Sequence, residues 1–182
     1  PQTIEVGETP TDITAVGLRF YIANSDSSSV SMIDIDPIKN EARKWDSDLT
    51  VGRKPTHLAA NGKFLIVGNR LDQSLTIQPL GTGLKPRTLR LNGEPGDIAL
   101  LSHTAIVADR SNERMVVVDL RTFTISQTIS LSDKVHSLAL TGETLLATTS
   151  GGKNLLSALF DARLGQQQLN IAASPRQLVL YN

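Results

Sequence analysis

The chain has 182 residues, enough for one domain with a sizeable apolar core, and no apolar run approaches the length of a transmembrane helix. Its 18 lysines and arginines balance 18 aspartates and glutamates, so the formal charge of zero argues against a nucleic-acid partner and against an anionic membrane surface as partner. We expect no direct membrane insertion, because no apolar run is long enough. The absence of cysteine excludes disulfides, thiolate metal sites and cysteine-attached haem.

A Gly/Pro turn recurs along the chain at a nearly constant spacing. Its copies begin 45, 40, 40 and 40 positions apart, at Val6, Val51, Leu91, Leu131 and Ile171. An apolar run keeps the same spacing and ends at Asn24, Asn69, Asp109 and Thr149. A period near 40 with strand-like content is typical of propeller blades of four strands each. We predict repeats over about 6–50, 51–90, 91–130 and 131–170, with a partial repeat over 171–182.

Four strands can be placed within a repeat. The first, such as residues 97–101, is a short apolar run that we expect to be buried on both faces near the propeller axis. The second, such as 63–69, contains Ile66, which we expect between neighbouring sheets, and it ends at an Asn or Asp that can cap a loop. The third, 114–120, is rich in β-branched residues. The fourth, 125–131, alternates and is more polar, as an outer strand should be.

No window shows the sustained period of an amphipathic helix. The predicted fold class is therefore all-β, a β-propeller of four-stranded blades. Residues 2–6 read as an outer strand of a preceding blade, and residues 175–182 read as a lone inner strand of a following one. We expect four complete blades with one strand at each end, cut out of a larger propeller of about seven blades. The alternative is that another polypeptide completes the ring.

The first repeat carries a recognisable motif. Residues 10–34 contain Pro-Thr-Asp-Ile, then Phe-Tyr-Ile-Ala-Asn-Ser, then Ser-Val-Ser-Met-Ile-Asp. This order resembles the YVTN repeat of surface-layer-type β-propellers, in which a Pro-x-x-Ile turn precedes Tyr-Val-x-Asn and Val-x-Val-Ile-Asp. The third copy matches fairly well, whereas the second and fourth are degraded, and the resemblance covers nearly the whole chain. It implies a periplasmic or extracellular location, and it marks a fold rather than an activity.

The inter-blade turns and the loops between second and third strands are expected on one face of the propeller, around its axis. The polar residues that this face gathers are Asp12, His57, Asp97, His136 and Arg176 near the inner strands, and Asp26, Arg70, Asp72, Arg110, Glu113 and Lys153 in the loops. Two histidines and two aspartates, Asp12, His57, Asp97 and His136, have side chains that could ligate zinc or copper. Polar rings of propellers more often satisfy loop backbone groups, and neighbouring blades hold their strand starts apart. We therefore predict no metal and no cofactor.

The candidate partner-binding residues are Trp45, Arg70, Arg110 and Arg176. Trp45 lies on an outer strand beside the longest insertion, 36–44, and is either a buried blade contact or an exposed anchor. No spacing selects a catalytic triad, and no glycine pair precedes a helix that could hold phosphate. The sequence favours a non-catalytic scaffold that contacts a protein partner or the remaining blades of the same protein. The alternative is a propeller enzyme or redox-associated protein that uses a metal or small ligand at the axial funnel.

Overall fold

The chain forms antiparallel β-sheets in which each strand pairs with the next along the chain, except that the short fifth strand of the first sheet pairs with the third. The computed structural model describes residues 2–81, 83–131, 133–141, 144–149, 155–160 and 169–172. These residues form 17 strands in four sheets, and within them no helix is long and apolar enough to cross a membrane. The all-β class and the four predicted complete blades are confirmed, and we refer to the sheets as blades 1 to 4.

The strands have the following bounds. Blade 1 contains β1 (Pro10–Val16), β2 (Arg19–Asn24), β3 (Ser29–Asp36), β4 (Glu41–Lys44) and β5 (Leu49–Thr50). Blade 2 contains β6 (Pro55–Ala60), β7 (Phe64–Asn69), β8 (Ser74–Pro79) and β9 (Arg87–Arg90). Blade 3 contains β10 (Pro95–Leu100), β11 (Thr104–Asp109), β12 (Arg114–Asp119) and β13 (Thr124–Ser130). Blade 4 contains β14 (Val135–Thr141), β15 (Thr144–Thr149), β16 (Leu155–Phe160) and β17 (Leu169–Ala172).

The core lies between the blades. In β7, Leu65 and Val67 belong to a cluster shared with blade 1, whereas Phe64 and Ile66 belong to a cluster shared with blade 3. Successive side chains of a strand point to opposite faces of the sheet. Because both faces of β7 are covered by a neighbouring blade, the strand reads as a continuous apolar run. Ile66 is fully buried, as predicted.

The inner strands are less buried than the sequence analysis predicts. Every residue of β7 and β11 is buried, whereas β6 and β10 are buried only in part and β1 contains no buried residue. The second strand of a blade has a hydrogen-bonded strand on each side and, in blades 2 and 3, a neighbouring sheet on each face. The expectation that an inner strand is buried on both faces is met in the middle of β6 and β10, where Leu58 and Ala59, and likewise Ile98 and Ala99, are buried in clusters on opposite faces. It is wrong for β1, because no described blade covers one face of blade 1.

The predicted strand over residues 2–6 is also wrong. These residues have no strand structure. The side-chain amide of Gln2, and not its backbone, forms the hydrogen bonds to the backbone of Ala42 in β4. Nε2 of Gln2 donates to the Ala42 carbonyl at 2.8 Å, and its Oε1 accepts from the Ala42 amide at 3.0 Å. The strand predicted over 175–182 lies outside the described residues.

In blades 1 to 3, the Asn or Asp that ends the second strand is buried. Asp109 caps the following loop as predicted, because its Oδ1 accepts from the amides of Ser111 and Asn112, both at 3.1 Å. Asn24 and Asn69 instead donate across to hydroxyl groups of the third strand. Their role is to tie two strands together within one blade.

Ile66→Ala tests the inter-blade core. We expect it to lower the free energy of unfolding by about 2–5 kcal/mol, because it removes a fully buried side chain from between two sheets. The matched control is Ile125→Ala on the outer strand β13, where the side chain is 39% exposed and the expected loss is below about 1 kcal/mol. Equal losses in denaturant unfolding of the two variants would show that the core is elsewhere.

Candidate functional site at the axial end of the blades

A β-bulge recurs at the start of every inner strand. The register shifts between Pro10 and Asp12, between Pro55 and His57, between Pro95 and Ile98, and between Val135 and Ser137. At a β-bulge, two residues of one strand lie opposite a single residue of the neighbouring strand, which changes the direction of their side chains. The repeat therefore places Asp12, His57, Asp97 and Ser137 at one equivalent position of the four blades.

Asp12 and Asp97 use this position to join consecutive blades. Asp12 Oδ2 accepts from the amide of Leu58 in blade 2 at 2.7 Å, and Asp97 Oδ2 accepts from the amide of Leu138 in blade 4 at 2.7 Å. Ser137 Oγ also donates to Asp97 Oδ2 at 2.9 Å. Each carboxylate thus bonds an inner-strand amide of the next blade, and its negative charge strengthens the hydrogen bond.

His57 occupies the equivalent position in blade 2 and does not make the corresponding bond to blade 3. Its Nδ1 lies 2.9 Å from Thr56 Oγ1, and the amide of Ile98 in blade 3 bonds instead to Oδ1 of Asp97 at 2.9 Å. Burial lowers the pKa of His57, and the positive charge of Arg110 lowers it further, against the opposing effect of Asp12 and Asp97. The neutral imidazole is therefore favoured at this point.

Ion pairs connect the loops at the same end. Lys54 in the turn before blade 2 pairs with Asp26 of blade 1, and Arg70 of blade 2 pairs with Glu94 before blade 3 at 3.1 Å. Hydrogen bonds from Lys54 and Thr9 lower the pKa of Asp26. Exposed pairs of this kind contribute little stability, but they show that Arg70 is already engaged with the next blade.

Arg53 and Asp72 form a similar pair within blade 2. Arg53 donates to Asp72 from its amide at 2.8 Å and from its Nε at 2.6 Å, and these bonds lower the pKa of Asp72. The carboxylate therefore fixes the turn before β6 against the loop after β7.

Arg110 differs from Arg70, because its guanidinium has no carboxylate partner among the described residues. It packs over Gly96, where a Cβ would lie 2.9 Å from Cγ of Arg110, so the close approach requires glycine. Glu113 is exposed, and so is His136 at the bulge of β14. Lys153 and Arg176 lie outside the described residues.

The four candidate metal ligands do not form a ligand set in the described part of the chain. No three His, Asp, Glu or Cys residues there are close enough together to hold a metal ion. Asp12 and Asp97 are both directed to backbone amides. The arrangement can join blades and hold one neutral imidazole next to a cation.

Trp45 lies directly after β4 and is fixed in place by two residues. Its indole Nε1 donates to Asp34 Oδ2 at 2.9 Å, and the guanidinium of Arg19 lies 4.4 Å from the ring centroid. Arg19 also pairs with Asp34 at 2.6 Å, which lowers the pKa of that carboxyl group. Trp45 is 42% exposed, so it combines a blade contact with an accessible ring.

Thr11 and Ser137 contribute to the blade junctions, although the sequence analysis does not single them out. Thr11 Oγ1 donates to the carbonyl of Pro55 in blade 2 at 3.0 Å. The signal that could have found them is the pair of polar residues after the turn, Thr11-Asp12 and His136-Ser137, which recurs with the repeat.

Several solved structures share this fold. One is hydrazine synthase of Kuenenia stuttgartiensis, with a TM-score of 0.69 at 21% identity over 94% of this chain and 52% of that chain. A protein from Lactobacillus plantarum gives 0.71 at 12% identity, over 97% and 60% of the two chains. A Bacteroides uniformis protein provisionally described as a 6-phosphogluconolactonase gives 0.69 at 14% identity, over 86% and 53%.

These likenesses define the class of protein, which is a β-propeller-type protein. At such low identities they show the fold alone, and the chain spans about half of the hydrazine synthase chain. No model of a known protein family matches the chain, and no curated protein matches it. The YVTN resemblance therefore stays an expectation.

Asp97→Ala tests the bond between blades 3 and 4. We expect a loss of about 1–3 kcal/mol in the free energy of unfolding, because the Leu138 amide loses its acceptor. Asp97→Asn keeps one acceptor oxygen and should lose less. Asp46→Ala, at an exposed position, should change stability by less than about 0.5 kcal/mol. If Asp97→Ala and Asp46→Ala unfold at the same denaturant concentration, the carboxylate does not join the blades.

His57 predicts a specific pH dependence of stability. Because the folded chain lowers its pKa, the unfolded chain takes up the proton first, near the ordinary pKa of about 6.5. The contribution of neutral His57 is complete above that pH and is lost as the pH falls through it. We expect the difference in melting temperature between the natural chain and His57→Gln to shrink on acidification. A difference that is independent of pH would contradict this assignment.

Proposed function

We propose that the chain is a non-catalytic part of a larger β-propeller that acts as a structural and protein-interaction scaffold. Two features support this proposal. The carboxylates Asp12 and Asp97 at the axial end are directed to backbone amides of the next blade. Blade 1 also presents an apolar face that no other described blade covers.

The main support for this proposal is the face of blade 1 that no described blade covers. Ile13 occupies the repeat position of Leu58, which is 8% exposed because it packs against blade 1, yet Ile13 is 61% exposed. Phe20 likewise corresponds to the fully buried Leu65, and it is only partly buried. Ile13 pairs with Ile22 in the sheet, and Phe20 lies on the same face two residues before Ile22. Ile22 is itself buried, so Ile13 and Phe20 form the accessible part of this apolar face. A preceding blade would bury this face as blade 1 buries the corresponding face of blade 2.

The covering blade would come from further sequence of the same protein or from a partner protein. Burying a side chain such as Ile13 completely is worth about 1.5–3 kcal/mol, which favours association when no such blade is present. A periplasmic or extracellular setting is supported by the YVTN resemblance of residues 10–34.

A second candidate is an enzyme that uses the axial end. One observation favours it, since the charges of Asp12, Asp97 and Arg110 all act on His57, whose pKa is lowered, and Arg110 forms no ion pair with a described residue. Hydrolysis of a sugar-phosphate lactone by the purified chain, lost in His57→Gln with the fold intact, would establish this function and overturn the non-catalytic proposal.

The open face is tested by light scattering behind size-exclusion chromatography over a range of concentrations. We expect the 182-residue chain to pair or to aggregate, and we expect Ile13→Asp to reduce this association. Ile125→Asp is the matched control, because it places the same charge on an exposed outer strand, and it should leave association unchanged. A monodisperse natural chain that unfolds cooperatively as a monomer would contradict the proposal.

A further inference from the structure

A second concave site lies at the opposite end of blades 2 and 3. Three chain connections surround a cavity of about 690 Å³: the turn between β6 and β7, the connection between β8 and β9, and the turn between β12 and β13. We call it the distal cleft, and its lining includes Lys63, Phe64, Leu80, Leu84, Lys85, Arg87, Leu120, Arg121 and Phe123. None of these residues belongs to the axial site.

The floor of the distal cleft is apolar and continues the core between blades 2 and 3. Phe64 and Leu120 belong to that core, and Phe123 packs against it. The rings of Phe64 and Phe123 meet edge to face, with centroids 6.4 Å apart and planes at 78°. Leu84 stands beside this floor with 56% of its surface exposed. An occupant would therefore gain from placing a large apolar side chain here.

The rim of the distal cleft is positively charged. Its lining contains Lys63, Lys85, Arg87 and Arg121, and it contains no aspartate or glutamate. None of these four cations forms an ion pair with a described residue. At the axial end, by contrast, the loop cations Arg53, Lys54 and Arg70 each pair with a carboxylate, whereas Arg110 does not pair with a described residue. In a chain with zero net charge, the distal cleft thus concentrates uncompensated positive charge.

Neutral partners hold two of these cations in place. The guanidinium of Arg87 lies 4.5 Å from the ring centroid of Phe123. The ammonium of Lys63 lies 3.1 Å from Nε2 of His103, and it donates to Ser102 Oγ at 3.4 Å. Burial lowers the pKa of His103, and Lys63 lowers it further, which favours the neutral ring as an acceptor. Neither arrangement cancels the positive charge.

The carboxylate of Asp119 does not line the cleft, and its negative charge opposes the lowering of the His103 pKa. Its Oδ1 accepts from the backbone amide of Arg121 at 2.8 Å and so fixes the turn after β12. The carboxylate does not pair with the guanidinium of Arg121. The charge of Arg121 stays available to a ligand.

We propose that the distal cleft binds an acidic peptide segment of a partner protein that inserts one aromatic or large aliphatic side chain. The cations stand on both walls, Lys63, Lys85 and Arg87 on blade 2 and Arg121 on blade 3, so they suit a partner with several carboxylates in sequence. The cavity volume lies in the range of ordinary ligand sites, and its floor accepts an apolar anchor. This inference deepens the proposed scaffold function and rests on it.

The test uses fluorescence anisotropy with three labelled peptides of equal length. The first alternates glutamate with leucine and phenylalanine, the second contains glutamate and serine only, and the third replaces the glutamates of the first with lysine. We expect saturable, salt-sensitive binding of the first peptide and much weaker binding of the other two. No saturation with the first peptide, or equal binding of the first two, would overturn the proposal. Displacement of the first peptide by inorganic phosphate alone would indicate a small-anion site and would overturn it as well.

Matched variants locate the binding. The double change Arg87→Glu and Arg121→Glu should raise the Kd by about tenfold or more, because two charge-assisted contacts become repulsive. Arg87→Gln with Arg121→Gln should give a smaller loss and controls for the reversed charge. Lys39→Glu with Arg43→Glu alters the net charge equally on blade 1 and should leave the Kd within about twofold, since both side chains lie outside the cleft. An equal loss in this control would place the binding in general electrostatics and would contradict the assignment.

The result of the peptide-binding test can be distinguished from the result of the association test of the proposed function. Association through blade 1 is measured without peptide and depends on Ile13, whereas peptide binding depends on Arg87 and Arg121. If peptide binding fails and association persists, only the distal cleft proposal is wrong.

Discussion

Blades 2 and 3 are stabilised because neighbouring sheets cover both faces of each of them. Leu65 and Val67 face one neighbour, Phe64 and Ile66 face the other, and β11 repeats this arrangement in blade 3. A single four-stranded sheet of this composition would expose two apolar faces, which is why repeats of this kind stack. The same requirement explains the open face of blade 1 and makes a further blade the simplest complement.

Face-to-face stacking also separates the roles of the two ends of the blades. At the axial end the inner strands of consecutive blades converge, so amides such as that of Leu58 come within reach of the preceding carboxylate. Polar side chains there act mainly as structural acceptors. At the distal end the connections of blades 2 and 3 diverge and leave a cleft over the shared core. The four cations that line the distal cleft form no ion pair with a described residue, so this cleft is the better candidate for recognition.

The repeat made much of the architecture predictable. A period near 40 and the apolar runs gave the four blades and the burial of Ile66, because stacking imposes the same demand on every copy. The prediction of a strand over residues 2–6 is wrong, because Gln2 bonds to blade 1 through its side chain and not through its backbone. The distal cleft could not be foreseen, since Lys63, Arg87 and Arg121 belong to different connections of two blades. These residues come close together because of the conformations of the three connections, which the repeat period does not specify.

Amide hydrogen exchange of the 182-residue chain measures whether stacking between blades is the main source of their stability. The strands β2, β7 and β11 are all second strands with a hydrogen-bonded strand on each side, so they differ mainly in how many faces a neighbouring blade covers. We expect the slowest exchange in β7 and β11 and measurably faster exchange in β2, whose blade has one face that no described blade covers. Equal protection of all three strands would contradict the claim that neighbouring blades are the source of stability.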